Sequence, residues 1–156
     1  MANKRLLREL QTIVKEPNYY YSCYPKEENL LIWDFCMIGP PDSLYEYGTF
    51  NGIIEFTNMY PNKPPTVIFS NILHPNIYTD GKVCISILHE GVDVSGYEND
   101  YERWNPSHSI NTIMLSIMSM LSSPNFDSPA NVDAKILWQD NIEEYRKIIY
   151  KMVKNG

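Results

Sequence analysis

The residue periodicity of this chain changes from helical to strand-like and back again, and that order constrains its fold more than any other feature. Apolar residues recur at helical spacing over residues 3–15, and Pro17 ends the pattern. Four short β-rich runs follow, separated by turn-forming residues. The runs are 19–24, 31–38, 50–57 and 66–69. Short links between consecutive strands favour an antiparallel meander.

Helical spacing returns in the last third of the chain, over residues 110–121 and over 132–154, which reads as one helix or two. Between the strands and these helices lies an irregular stretch, residues 70–109. An irregular stretch of that length in a small chain is typical of a functional region. The sequence therefore predicts an α+β fold: an N-terminal helix, a four-stranded antiparallel meander sheet, a long active-site stretch and C-terminal helices.

Length and charge narrow the class of protein. The 156 residues, of which 44% are hydrophobic, suit a single domain spanning 1–156 with its own core. The formal charge of −6 argues against nucleic acid as a partner. No apolar run approaches the ~20 residues of a membrane span, and charges interrupt the N-terminal leucines, unlike in a secretory signal. We therefore expect no membrane span and a location in the cytoplasm, the nucleus or both.

The cysteines point to a reducing compartment. Cys23, Cys36 and Cys84 are odd in number and widely spaced, which argues against a disulfide framework. No C-x-x-C pair indicates a zinc site, so we expect no metal. Reduced thiols fit a reducing compartment, where one of them is free to act chemically.

Charge is distributed unevenly along the chain. Residues 89–103 hold five acids and a single arginine, whereas residues 1–15 hold four cations and one acid. The five acids are Glu90, Asp93, Glu98, Asp100 and Glu102. The chain therefore presents an acidic segment and a basic first helix as two separate surfaces.

An ordered set of short motifs surrounds Cys84. The motifs are Tyr60-Pro61-x-x-Pro64-Pro65, His74-Pro75-Asn76-Ile77, Gly81-Lys82-Val83-Cys84-Ile85 and Trp104-x-Pro106. Together they resemble the ubiquitin-conjugating enzymes, whose His-Pro-Asn motif lies eight residues ahead of the acceptor cysteine, as Asn76 does ahead of Cys84. The resemblance runs from about residue 4 to residue 153.

The segment after the cysteine resembles one subgroup of that family. Residues at about 89–101 are similar to the insertion of the acidic-loop enzymes. Gly96-Tyr97-Glu98 and Glu102-Arg103-Trp104 are similar to the G-type members of that subgroup.

The resemblance implies an acyl transferase. Cys84 would accept ubiquitin from the activating enzyme as a thioester and pass it to lysine amines of substrate proteins. A ligase, expected to be of the RING type, would assist, and polyubiquitin chains would form. No bound cofactor is expected, because ATP is used by the activating enzyme.

Roles for the other site residues follow from the resemblance and from their chemistry. Asn76 can donate to the oxyanion formed during lysine attack, or it can tie the loop together, and both readings stay open. His74 and Pro75 are expected to structure the loop. On the loop before the later helices, Ser128 lies where several relatives carry Asp, and Asp127 is adjacent; these two and the acidic residues of 89–101 are the candidates for helping to deprotonate lysine. Asp127 is equally suited to capping a turn.

Partner surfaces are implied by the same transfer. Lys4, Arg5 and Arg8 lie where the family meets the activating enzyme, with an ordinary solvated helix face as the alternative. The ligase-contacting positions are Pro61, Asn62, Pro106 and Ser107. Asn62 departs from the larger apolar residue of many relatives, which leaves the choice of ligase open.

Three other functions compete with this interpretation. A cysteine hydrolase would pair Cys84 with His74, His89 or His108, but no protease motif surrounds the cysteine. A non-catalytic ubiquitin-binding variant would have no need of the thiol. A carrier of another ubiquitin-like modifier would keep the mechanism and change the cargo.

Overall fold

The computed structural model of the protein describes residues 2–91, 93–96 and 98–155. Residues 92 and 97 of the acidic segment, including the Tyr97 of the G-type similarity, lie outside the described residues, as do the two ends of the chain.

The strands form one antiparallel meander within the described residues. The sheet has the order β1-β2-β3-β4, and each strand pairs with its neighbour in sequence. The strands are β1 Tyr21–Lys26, β2 Asn29–Ile38, β3 Thr49–Glu55 and β4 Thr66–Phe69. The predicted fold class is confirmed.

The boundary of β1 differs from the prediction. The strand continues through Pro25 to Lys26, where the sequence had indicated a turn. Proline is tolerated because β1 is an edge strand, so a missing N–H need not break the sheet. The register shifts between Pro25 and Lys26, which places the irregularity at the end of the strand.

One face of the sheet supplies the core. Side chains alternate between buried and exposed along β1 and β3, as period-2 strands require. The buried sheet side chains pack in one cluster with the buried face of a helix after the irregular stretch, α2 Ile110–Ser122. The members from α2 are Ile110, Ile113, Met114, Ile117, Met120 and Leu121.

Side-chain caps begin the helices that follow the irregular stretch. In α2, Ser109 and Thr112 form a reciprocal capping box, which satisfies N–H groups that have no partner inside the helix. The predicted 132–154 segment is two helices, because the chain breaks at Asn141, whose side chain accepts from the Glu144 N–H. The remaining helices are α1 Ala2–Lys15, α3 Val132–Asp140 and α4 Ile142–Asn155. None of the helices in the described part of the chain is long and apolar enough to cross a membrane.

The irregular stretch is held against β4 at one point. Gly81 has φ +96°, and a Cβ there would lie 2.1 Å from the Phe69 carbonyl oxygen, so the close approach requires glycine. The next residues bridge to neighbouring backbone, with the Val83 N–H donating to the Val67 oxygen at 2.9 Å. This attachment places Cys84 one residue beyond the sheet.

Candidate active site

His74 anchors the segment that leads to Cys84. Its side chain is fully buried, its Nδ1 accepts from the Asn76 N–H at 2.9 Å, and its Nε2 lies 2.8 Å from the Met120 oxygen of α2. This pattern requires the neutral ring with the proton on Nε2. Burial lowers the pKa of His74 to about 4. In this structure His74 therefore fastens the loop to α2.

Pro75 and Asn76 fasten the same segment to the chain before α3. The Pro75 oxygen accepts from the N–H groups of residues 130 and 131, at 2.8 and 2.9 Å. The Asn76 amide makes two bonds of 2.9 Å with the Asn125 backbone, donating from Nδ2 and accepting at Oδ1. This is the loop-tying arrangement of Asn76, and it occupies one of the two N–H groups of Nδ2. The other N–H of Nδ2 is the donor that the predicted oxyanion-binding role of Asn76 would use.

Cys84 follows directly from this support. Its N–H donates to the Asn76 oxygen at 2.9 Å, and its side chain is partly exposed. The Sγ lies 3.6 Å from His89 Nε2 and 3.9 Å from Tyr78 Oη. The His89 contact, helped by Tyr78, lowers the pKa of the Cys84 thiol, although partial burial opposes the shift.

His89 is held by a carboxylate on its other side. Its Nδ1 lies 2.8 and 3.0 Å from the two oxygens of Glu98, which also accepts a hydrogen bond from Arg103 Nη1. The bond to Cys84, together with Glu98, raises the pKa of His89 to about 9. The sequence indicated His89 only as a hydrolase partner and did not single Glu98 out from the other acids of the segment. The available signal was the short spacing of His89 after Cys84, across a 3₁₀ turn at Ser86–Leu88.

Arg103 closes the acidic segment. Its guanidinium donates to the Gly91 oxygen at 2.8 Å and to the Glu90 oxygen at 2.7 Å, besides its bond to Glu98. The next residue, Trp104, donates its N–H to the His89 oxygen at 2.9 Å. The two ends of the segment are therefore joined beside the thiol.

Asp127 and Ser128 line the same open cleft, of about 780 Å³, as Cys84, His89 and Asn76. Both are exposed, and the Asp127 N–H donates to the Asn125 side chain at 3.0 Å in a local turn. The structure thus places both predicted residues in the cleft with the thiol.

The predicted surface residues of α1 divide into two kinds. Lys4 and Arg8 are exposed, but Arg5 is partly buried and donates to the Pro106 and His108 oxygens at 3.0 and 2.6 Å. It also pairs with Glu9 at 2.9 Å. Arg5 therefore supports the chain that precedes α2, a role that the helical pattern alone does not indicate.

The predicted ligase positions lie on two adjacent loops. Asn62, Pro106 and Ser107 are exposed, and Pro61 is partly so. The Trp104 indole donates to the Pro61 oxygen at 2.8 Å and so joins the two loops. Across the ranges that the structure describes, no three His, Cys, Asp or Glu side chains are grouped as a metal site would need.

Comparison with known proteins gives a consistent answer. A family model described as ubiquitin-conjugating enzyme matches residues 5–153. The chain is 49% identical over 158 residues to ubiquitin-conjugating enzyme E2 7 of Arabidopsis thaliana, covering 99% of this chain and 95% of the relative. It is 44% identical over 158 residues to human ubiquitin-conjugating enzyme E2 G2, covering 99% of this chain and 96% of that protein.

Proposed function

This chain belongs to the ubiquitin-conjugating enzyme family, and from that premise we propose that it carries ubiquitin as a thioester on Cys84 and delivers it to lysine amines. The observation that carries the proposal is the position of Cys84 at an open cleft, with a pKa lowered by the adjacent His89. A thiolate attacks an acyl group far better than a thiol, and a thioester is readily attacked in turn by an amine.

The reaction has two transfers. The Cys84 sulfur first attacks the thioester between ubiquitin and the activating enzyme, and takes the C-terminal carbonyl of ubiquitin. A lysine amine then attacks that carbonyl and releases the Cys84 thiolate. The second N–H of Asn76 is suited to the oxyanion of this step, where one such donor contributes roughly 3 kcal/mol.

The partners of the family are ubiquitin, the activating enzyme and a ligase. We assign the activating enzyme to the exposed cations Lys4 and Arg8, with Arg5 supporting that surface from beneath. A RING-type ligase would contact the two loops that Trp104 joins. The positions are Pro61, Asn62, Pro106 and Ser107. No bound cofactor is required, because the activating enzyme uses the ATP, and we place the reaction in the cytoplasm or nucleus.

The acidic segment is proposed to favour polyubiquitin chains. Arg103 holds its ends together beside Cys84, so the segment narrows the approach of an acceptor lysine. The acidic side chains would select among acceptors by charge, which affects the second transfer more than the first.

The test is a charging reaction with activating enzyme, ATP and ubiquitin, separated on gels with and without thiol reductant. The wild-type protein should give a shifted band that reductant removes. Cys84→Ala should give no band, and Cys84→Ser should give one that resists reductant. The matched control is Cys36→Ser, since Cys36 lies on the sheet and should charge normally.

Other outcomes identify the alternatives. A band only with a different modifier and its own activating enzyme would change the cargo, and no band with any modifier would indicate a non-catalytic binding variant. Cleavage of ubiquitin chains without ATP would favour a hydrolase, whose residue types the Cys84, His89 and Glu98 arrangement also contains.

A further inference from the structure

A histidine and a carboxylate lie beside the thiol, and the family resemblance singled out neither of them for the transfer. His89 Nε2 faces Cys84 Sγ at 3.6 Å, and Glu98 holds the opposite ring nitrogen at 2.8 Å. We propose that His89 is a catalytic residue, the proton acceptor for the attacking lysine, and that Glu98 positions it. This inference rests on the proposed function of Cys84.

The tautomer of His89 follows from its partners. A carboxylate accepts but does not donate, so Nδ1 carries a proton in either charge state of the ring. In the neutral ring, Nε2 therefore presents its lone pair toward the sulfur. A base must be within hydrogen-bond reach of the proton that it takes, directly or through one water. The lysine nitrogen attacks the carbonyl carbon bonded to Sγ, and Sγ lies 3.6 Å from Nε2, so the attacking nitrogen comes close to Nε2.

Glu98 is itself held from two directions. Arg103 donates to the same carboxylate oxygen, and the Glu98 N–H donates to Asp93 at 2.8 Å. Arg103 is nearly covered, with a side-chain exposure of 11%, and that of Glu98 is 20%. Glu98 is therefore held in place where it contacts the histidine.

The protons and bonds balance over one cycle. Before charging, the Cys84 proton resides on His89, and the pair is a thiolate beside an imidazolium. When the thiolate forms its bond to the ubiquitin carbonyl, the carbon–sulfur bond of the activating enzyme breaks. The departing thiolate takes a proton from the medium, and His89 releases one because the Cys84 thiolate, one of its two anionic partners, has been consumed.

The transfer step restores the first state. A lysine ammonium loses one proton to solvent and attacks the thioester carbonyl, forming a carbon–nitrogen bond. The nitrogen then loses a second proton to His89 Nε2 as the carbon–sulfur bond breaks. The product is an amide together with the Cys84 thiolate beside a His89 imidazolium, which stabilises the leaving group.

The groups around His89 set the expected pH dependence. Its Nε2 faces Cys84, which Tyr78 contacts in turn, and its Nδ1 faces Glu98, which Arg103 holds. In the thioester form the thiolate is absent, while Glu98 still favours the protonated ring. Discharge should therefore rise with pH as His89 loses its proton, and removing the Glu98 charge should move that rise to lower pH.

The experiment follows discharge of purified ubiquitin thioester to free lysine, in a single turnover, from pH 6 to pH 9. His89→Gln should charge to completion but discharge roughly 10²-fold more slowly at pH 7. Glu98→Gln should discharge more slowly than wild type at high pH, with its rise shifted to lower pH. Asp34→Asn is the matched control, because it also removes one carboxylate charge but lies on β2, paired with Lys26 at 3.0 Å, and should leave the profile unchanged.

A second measurement separates chemistry from folding. The rate of Cys84 alkylation by iodoacetamide, followed by mass spectrometry, should show a higher apparent pKa in His89→Gln than in wild type. Discharge by His89→Gln within twofold of wild type at every pH, or an unshifted pH profile in Glu98→Gln, would overturn the proposal. Failure of the wild-type protein to form a thioester would instead overturn the proposed function.

Discussion

Two histidines, His74 and His89, lie on either side of Cys84 in the sequence, and they differ in burial, in hydrogen-bond partners and in pKa. His74 is fully buried and bonds to two uncharged backbone groups. His89 is partly exposed and lies between a thiol and a carboxylate. The pKa of His74 is lowered to about 4, whereas that of His89 is raised to about 9.

The difference teaches that surroundings, not residue type, assign the role of an imidazole. Burial among neutral partners penalises the charged ring, so His74 stays neutral and makes one hydrogen bond at each ring nitrogen. Anionic partners favour the charged ring, so His89 holds its proton beside the Cys84 thiolate and can release it when that thiolate is consumed. The first arrangement supports the site and the second is suited to chemistry.

The largest expected effect is on stability, from removal of the buried ring. His74→Ala leaves a cavity and removes the partner of the Asn76 N–H and of the Met120 oxygen. The free energy of unfolding should therefore fall by about 3 kcal/mol. His89→Ala, at a partly exposed position, should change the free energy of unfolding by less than about 1 kcal/mol. Urea unfolding at pH 7.5 measures both. Equal losses of unfolding free energy in the two variants would contradict the assignment of a structural role to His74 and a chemical one to His89.

The next effect is the pH dependence of stability, which has opposite signs for the two residues. The folded state disfavours protonation of His74, so the unfolded state binds more protons once pH falls below about 6.5. Stability should fall by roughly 2 kcal/mol from pH 7 to pH 5 because of His74, and His74→Gln should flatten this slope. His89 contributes stability that is present below about pH 6.5 and lost as pH rises through about 9.

The His89 contribution should be under about 1 kcal/mol, because solvent reaches the pair. The difference in unfolding free energy between wild type and His89→Gln, measured from pH 6 to pH 9, should shrink as pH rises. A difference that grew with pH would mean that His89 is neutral in the folded protein.

The smallest effect concerns Tyr78, the second neighbour of the thiol. Its hydroxyl lies 3.9 Å from Cys84 Sγ and helps to lower the pKa of that thiol. Tyr78→Phe should therefore raise the apparent pKa of Cys84 alkylation, but by less than His89→Gln does. If both substitutions raised this apparent pKa equally, His89 would not be the main group that lowers the pKa of the Cys84 thiol.

Much of the fold was predictable because its signals are local. The period-2 runs placed the four strands, and helical spacing placed α2 to within a residue or so. The continuation of β1 through Pro25 was not predictable, since it depends on the strand lying at the sheet edge. The break between α3 and α4 at Asn141 was left open, because the helical spacing continues across it.

The residues of the candidate site also differ in how far the sequence predicts them. Cys84 and Asn76 could be named from motif spacing, since they share one short segment of chain. Asp127 and Ser128 were proposed by resemblance; in the structure they line the cleft, and their chemical roles remain predictions. The inward position of Arg5 could not be read from α1, because its partners at Pro106 and His108 are about a hundred residues away.

The sequence by itself determined the order of helices and strands, the family and the position of the thiol. These follow from periodicity and from motifs a few residues long, and both can be read within a short window of the chain. Only the tertiary structure decided that Glu98 faces His89, and which histidine is buried. Those outcomes depend on how Arg103 closes the acidic segment and how α2 covers His74, since burial and charge pairing are set by residues distant in sequence.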